Sequence, residues 1–489
     1  MSGPRASDSR ALRRGMSRRD FLVRAGVLGL GGASAAGALA SCTGGRRRPQ
    51  TAEGRAAEQG GNRIGTIYTD EAAEELNASL TWPESINEPS SPVTITVSHA
   101  WDASFWPRQQ QFDRFFQERH PNIRVRSENT PFDDYLQKYL TQAAGGTPPD
   151  VMYNQYAWSQ NLIQQGLFIP LDEYIDRQQD FDLEDFTEPS MGYYVRDGER
   201  YGIAYDCGPI MLFYNKDLFD KAGVEYPTSS WTMDDLREAV IATTSGSGRD
   251  KVFGLSTIPY PGGNFGPTRL APFGGRFLNE DETECLLDEP ESVAAAEWWL
   301  ELYLEHGAMP SPTDEQAMTQ TDAFTLGRAA MAANGSWASP ALLEQADFEW
   351  AIADWPEGPE GRITSAEGSA YSITAKSPNK DAAWIYLNEY LSTAGQIFMW
   401  ASTGRGSPAR NSAWQAYLNS EFAAEGTELV QKALNTYATN DGVLFQPTTP
   451  EVVNTATPIW DRVVNRDISV ADGCRQVTAA LEPILAENA

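Results

Sequence analysis

A chain of 489 residues with 41% hydrophobic content is too long for one simple core and suits two or three lobes. Its 67 acidic and 38 basic residues leave a formal charge of -29, and a surface of that sign repels polyanions, which argues against nucleic acid as a partner. Histidines 99, 120 and 306 and cysteines 42, 207, 285 and 474 are scattered without CxxC or HExxH spacing, so neither a metal site nor a cofactor is expected.

The first element in chain order runs from Ser17 to Cys42. Arg18 and Arg19 precede a modest apolar run that ends Leu39-Ala40-Ser41-Cys42. A basic head, an apolar middle and small residues before a cleavage point describe an export signal. Arg24 and the many Gly and Ala residues make the run a poor fit to the roughly 20 strongly apolar residues that a membrane span needs. The stretch resembles a twin-arginine signal joined to a bacterial lipobox. That resemblance implies a signal peptide over residues 1–41 and a lipid on Cys42, holding a soluble body at the extracytoplasmic face of the cell membrane. Without 1–41, which holds seven Arg and two Asp, the chain carries -34. Residues 42–91 are rich in Gly, Arg, Gln, Glu, Ser and Pro and read as a flexible linker, with a short helix near Glu71–Leu80 as an option. If Cys42 carries lipid, the other three cysteines permit one disulfide, and the sequence does not choose the pair.

From Val93 the pattern changes. Val93, Ile95 and Val97 alternate as in a strand, and Trp106, Phe112, Phe115 and Phe116 fill a helix that His120-Pro121 stops. Ile123 and Val125 form a second strand, Tyr135, Leu136, Tyr139 and Leu140 a second helix, and Val151-Met152-Tyr153 a third strand. Strand, helix, strand, helix, strand predicts a parallel α/β sheet, in which ligands sit at the carboxyl ends of the strands. Those ends carry Trp101 and Asp102, then Asn154, Gln155 and Tyr156, with Trp158 close behind. Farther on, an apolar run over Tyr201–Asn215 is interrupted by Asp206-Cys207-Gly208-Pro209, and an acid in such a stretch needs a partner. Thr232 and Asp235 form a capping-box pattern, and Ser377-Pro378 reads as a helix start.

Four segments in order, Pro148-Pro149-Asp150-Val151, Tyr214-Asn215-Lys216-Asp217-Leu218-Phe219, Ala222-Gly223-Val224 and Trp231-Thr232-Met233-Asp234-Asp235-Leu236, resemble the extracellular solute-binding proteins of carbohydrate ABC importers, the family of maltose-binding protein. Gly327–Met331, Asn334–Trp337 and Ser377–Trp384 continue the resemblance. It implies two α/β lobes of the periplasmic-binding-protein type, each a mainly parallel sheet flanked by helices, closing on a ligand between them. Carried onto this chain, the N-terminal lobe is 93–204 plus 368–407 and the C-terminal lobe 209–362 plus 411–489, with hinges near 205–209, 362–367 and 406–410. A monomeric receptor that captures a sugar or oligosaccharide and delivers it to ABC permease subunits follows from the resemblance.

Pyranose rings present C–H faces and hydroxyl rims, so such a site needs aromatic plates with polar groups beside them. The candidate plates beside chain breakers and strand ends are Trp101, Tyr156, Trp158, Tyr205, Tyr260, Phe265, Trp337, Tyr371 and Trp460. Trp337 stands out because Gly335-Ser336-Trp337 resembles the loop by which the family stacks a sugar. The candidate hydroxyl partners are Asp102, Asn154, Gln155, Asp206, Asn264, Glu367 and Arg405, with Gly368 and Ser369 allowing close backbone approach. A secreted glycoside hydrolase also offers acids and tryptophans, but no catalytic residue is assigned, because paired carboxylates arise in any acidic cleft. There is no GxSxG, GxGxxG or GxxxxGK[ST] to support hydrolase or nucleotide chemistry. Rival ligands are a polyamine, a peptide, or a ferric ion held by Tyr193-Tyr194.

Overall fold

Helix α1 (Asp70–Ser79) opens the described part of the chain, with the Thr69 hydroxyl accepting from the Ala72 amide. The computed structural model describes residues 69–101, 105–257, 266–311, 313, 314, 318, 322–440 and 448–486. The stretch read as an export signal, Cys42, Asp102, Tyr260, Asn264 and Phe265 lie outside the described residues. Among the described residues no helix is long and apolar enough to cross a membrane.

The alternating segment at Val93 is strand β1 (Val93–His99), followed by α2 (Trp106–Arg119), β2 (Ile123–Asn129), α3 (Phe132–Ala144), β3 (Val151–Gln155) and α4 (Tyr156–Gln164). Strand β1 pairs parallel with β2 and with β3, so all three carboxyl ends share one edge. Ile95 and Val97 are fully buried in the same core as Phe112 and Phe116 of α2.

Beyond β4 (Ile203–Pro209) the chain turns at Ile210 into β5 (Met211–Asn215) of a second sheet. There α5 (Lys216–Ala222) and α6 (Met233–Thr243) lead to β6 (Phe253–Ser256), and α7 (Gly266–Leu270) and α8 (Pro290–Leu304) to β7 (Ala329–Asn334) and β8 (Trp350–Ala353). The Thr232–Asp235 capping box starts α6. The long β9 (Thr364–Ile373) returns to the first sheet, α9 (Lys380–Tyr390) follows, and β10 (Ala438–Thr439) and helices α10 (Thr449–Val464) and α11 (Val470–Leu485) complete the chain.

The first sheet runs β10-β9-β3-β1-β2, with β4 also on β9, and the second runs β8-β5-β7-β6. Parallel pairs are β1–β2, β1–β3, β6–β7 and β9–β10, whereas β9 meets β3 and β4, and β5 meets β7 and β8, in antiparallel sense. A third crossing lies along β4, where the Cys207 amide donates to the Ser407 carbonyl at 3.3 Å and the Ala409 amide to that of Tyr205 at 3.2 Å. Tyr193 and Tyr194, both fully buried, donate their hydroxyls to the Ala366 and Gly368 carbonyls and hold β9 from the first lobe.

The sequence reading is corrected in three places. Residues from Thr69 onward, expected as flexible linker, are laid along the first lobe. Trp82 packs edge-on to Phe112 at 5.9 Å and carries the Arg119 guanidinium 3.9 Å over its ring, so one indole supplies apolar burial that the composition does not suggest. His120 bonds Glu88 of this segment through Nδ1 and Glu389 through Nε2. Cys207, Cys285 and Cys474 are all buried as free thiols, without the disulfide that composition permits. Helix α9 starts at Lys380, not at Pro378, because the Ser377 hydroxyl is committed to the Asp150 carboxylate at 2.5 Å and accepts from the Asn379 amide at 3.1 Å.

Candidate ligand-binding cleft

The carboxyl edge of β1–β3 meets the crossing strands where β9 lies between β3 and β4. Ser369 faces Gln155 on one side and Asp206 on the other, and Glu367 faces Gly208. The β4 register shifts between Ser369 and Ala370, an irregularity of the kind that re-aims side chains at sites. Gly368 allows this close approach, since a Cβ there would stand 2.5 Å from the Asp206 carbonyl oxygen.

Two carboxyl groups stand on this floor. Asp206 is half-buried and accepts from the Ser369 amide at 2.7 Å. Burial raises its pKa to about 7, against the opposing pull of that amide and of Arg405. Glu367, 7% exposed, is raised to about 8 by burial, opposed by hydrogen bonds from Tyr156 and Ser365 and by the charge of Arg269. Two guanidinium groups face them. Arg269, from α7 of the second lobe, donates to the Thr257 hydroxyl at 3.0 Å, and burial lowers its pKa to about 9. Arg405 lies over the rings of Trp101 at 5.0 Å and Phe105 at 4.5 Å. The floor therefore carries two carboxyl and two guanidinium groups, with Tyr156 of the first lobe, Arg269 of the second and Glu367 of the crossing strand in one cluster.

Trp337 follows β7 in a 3-10 turn and is half-buried. Its ring lies against two glycines: a Cβ at Gly208 would come within 3.0 Å of its Cζ3, and one at Gly335 would overlap its edge outright. The Ser336 hydroxyl bonds that of Ser407 at 2.8 Å, tying the turn to the third crossing. The result is a flat indole beside hydrogen-bonding groups, an arrangement suited to a ring with hydroxyls on its rim.

The other sequence candidates divide. Tyr205, 5% exposed, stacks on Trp400 at 4.7 Å in the first-lobe core and offers no plate, whereas the Ser369 hydroxyl bonds that of Tyr153 at 2.9 Å on the floor. Trp158 is half-buried at the edge of the first lobe. The Gln155 side chain caps α4 by accepting from the Ala157 amide. Corrections apply to four others. Trp101 is 4% exposed, its indole N–H given to Gln109 and its face covered by Arg405, so it backs the floor without offering a plate. Asn154 is fully buried, its amide nitrogen bonded to the hydroxyls of Ser159 and Ser372, both at 3.0 Å. Tyr371 is fully buried with its hydroxyl 2.7 Å from His99 Nδ1. Trp460 is 2% exposed in the core that α10 and α11 build with α8. Missed by the sequence were Arg269, in a stretch without any recognisable motif, and Tyr153, hidden inside an apolar strand.

Two α/β lobes joined by adjacent crossings, with polar and aromatic side chains at the junction, define a binding protein that closes on a ligand. The chain belongs to the bacterial extracellular solute-binding protein family, whose model matches residues 98–397, more than half its length. It is a binding protein and not an enzyme, as the family is. Among curated relatives, a Brucella abortus (strain 2308) binding protein is 28% identical over 299 residues, covering 60% of this chain and 71% of the relative. The maltotriose-binding protein of Pyrococcus abyssi is 25% identical over 273 residues, 55% of each chain. Among solved structures, an ABC substrate-binding protein of Listeria monocytogenes in complex with cycloalternan shares the fold with a TM-score of 0.72 at 24% identity, covering 80% of this chain and 99% of that one. The GacH receptor of Streptomyces glaucescens, solved unliganded and with acarbose, gives 0.68 at 22% identity, covering 81% and 99%.

Proposed function

We propose that this protein captures a sugar or oligosaccharide between its lobes and delivers it to the permease of an ABC importer, acting as a monomer. In this reading a twin-arginine signal exports it, and a lipid on Cys42 anchors it at the extracytoplasmic face of the membrane. The observation that carries the ligand class is the floor itself: an indole plate against Gly208, with the carboxyl groups of Asp206 and Glu367 and the guanidinium groups of Arg405 and Arg269 gathered at the same junction. A polyamine calls for ionised carboxylates, whereas burial raises Asp206 and Glu367 to about 7 and 8, toward their neutral forms, and each already feels the charge of a guanidinium, Arg405 and Arg269 respectively. The tyrosines that suggested iron, Tyr193 and Tyr194, spend their hydroxyls on backbone carbonyls of β9. A neutral polyol meets such a floor without adding a buried charge, and both carboxylates and guanidiniums hydrogen-bond adjacent hydroxyls.

The relatives support the same class: maltotriose, lactose and arabinooligosaccharides appear in the names of curated binding proteins similar to this chain. Ligand contacts from both lobes exist only when the lobes are shut, so binding shifts the equilibrium toward closure, and the closed pair of rims is what a permease reads. Titration calorimetry with maltotriose, lactose, arabinotriose and mannotriose, against spermidine, ferric citrate and short peptides, tests the reading. Heat with a saccharide alone is expected; heat only with spermidine, iron or a peptide rejects it.

A further inference from the structure

Among the described residues the most exposed large apolar side chain is Phe132, at 49%. Exposure of a bare phenyl ring is unfavourable, and its position makes it informative. Phe132 is the first residue of α3, three residues past the end of β2, on the carboxyl edge that the parallel pairing of β1, β2 and β3 brings to the cleft. Its ring stacks on Trp158 with centroids 5.5 Å apart and planes 27° from parallel, and Trp158 is backed in turn by Tyr135, 7° from parallel at 6.3 Å. Phe132 also meets Tyr153 edge-on at 6.5 Å. Tyr153 bonds Ser369, whose amide holds Asp206, so the stack is continuous with the floor.

We infer that Phe132, stiffened by Trp158, is a second ring platform, set on the first lobe, whereas Trp337 is supplied by the second lobe. The inference rests on the carbohydrate reading and deepens it: a ligand that uses both plates has at least two sugar rings, so the preferred ligand is an oligosaccharide. The stack suits such a role for a physical reason. A lone exposed Phe loses rotamer freedom on binding, but one already stacked on a half-buried indole is pre-organised. A phenyl face offers C–H contact and no hydrogen bond, so the platform adds affinity for a further ring without fixing its hydroxyl pattern.

The test is calorimetry on the wild type, Phe132→Ala, Phe132→Tyr and Trp337→Ala, using maltotriose and mannotriose and the matched single sugars glucose and mannose. Expected is a loss of about 5- to 20-fold for the trisaccharide in Phe132→Ala, recovery in Phe132→Tyr, and no change for the single sugar. Unchanged trisaccharide affinity in Phe132→Ala overturns the platform, as does an equal loss for single sugar and trisaccharide. Weakening of the same ligands in Trp337→Ala would leave the carbohydrate reading standing in that event. If the wild type binds none of the four sugars, and spermidine or a peptide instead, both readings fall together. A circular dichroism spectrum and melting temperature matching the wild type keep a folding defect from being counted as a loss of contact.

Discussion

Gly335→Ala probes the indole plate without touching the indole. The Gly335 backbone has φ -96° and ψ 169°, an extended conformation open to any residue, so the new methyl brings no backbone strain. It would, however, lie inside 3.0 Å of Cε3, Cζ3 and Cη2 of Trp337, where an ordinary carbon contact is about 3.5–4.0 Å. From 2.1–2.4 Å the half-buried ring has to retreat by about 1.1–1.4 Å to reach an ordinary contact, and since a gap of about 1 Å already forfeits half of a dispersion contact, at least half of the stacking is lost. Removing the whole plate by Trp337→Ala is worth about 1–3 kcal/mol of stacking and burial. Displacing it then costs at least about 0.5–1.5 kcal/mol, or about 2- to 12-fold in Kd, against about 5- to 150-fold for Trp337→Ala. Calorimetry with whichever saccharide gives heat measures both, and near-ultraviolet circular dichroism reports the moved indole. Undiminished affinity in both variants, with native melting temperatures, would refute the placement of the sugar on this ring.

Asp206→Asn should weaken ligand binding and at the same time flatten the pH dependence of stability. Its pKa is raised from 3.8 to about 7, so the wild-type carboxyl favours the folded state most below its unfolded value and loses that advantage as pH rises through 7; melting temperatures of the two proteins from pH 4 to 8 should diverge accordingly. Burial lowers the His120 pKa, but Glu389 and Glu88 raise it further, for a net rise. Stability from this pair is full below the unfolded value of 6.5 and lost as pH climbs past the folded one, so the melting difference between wild type and His120→Gln should shrink from pH 6 to 9. Glu389→Ala strips a 2%-exposed carboxylate from Arg119 and His120 and should cost about 3–5 kcal/mol in urea denaturation, with proteolysis of the Thr69–Pro92 segment as its local sign.

Local patterning carries much of the fold. The alternation at Val93, the Thr232 capping box and the apolar helix over Trp106–Arg119 are properties of neighbouring residues, and each fixes an element directly. Asp206 was visible because it interrupts an apolar run, Glu367 because it stands beside Gly368 and Ser369, and Trp337 because Gly335-Ser336-Trp337 resembles the family's sugar-stacking loop. What the sequence hides is pairing at long range. Asn154 and Tyr371 sit where a site is expected, but Ser372 and His99, more than two hundred residues away, engage the Asn154 amide nitrogen and the Tyr371 hydroxyl inside the core. Arg269 enters the cleft only because β9 brings Glu367 to α7. Trp82 makes the supposed linker adhere through Phe112 and Arg119, an affinity that composition averaged over fifty residues conceals. Phe132, at a helix start with an unremarkable neighbourhood, gains meaning only when Trp158 is found beneath it.

In this reading the two lobes shut on a saccharide. Small-angle X-ray scattering of the protein with and without a saccharide that binds calorimetrically would register that closure. A fall in radius of gyration that titrates with the heat is the predicted result; an identical scattering profile at saturation would contradict it.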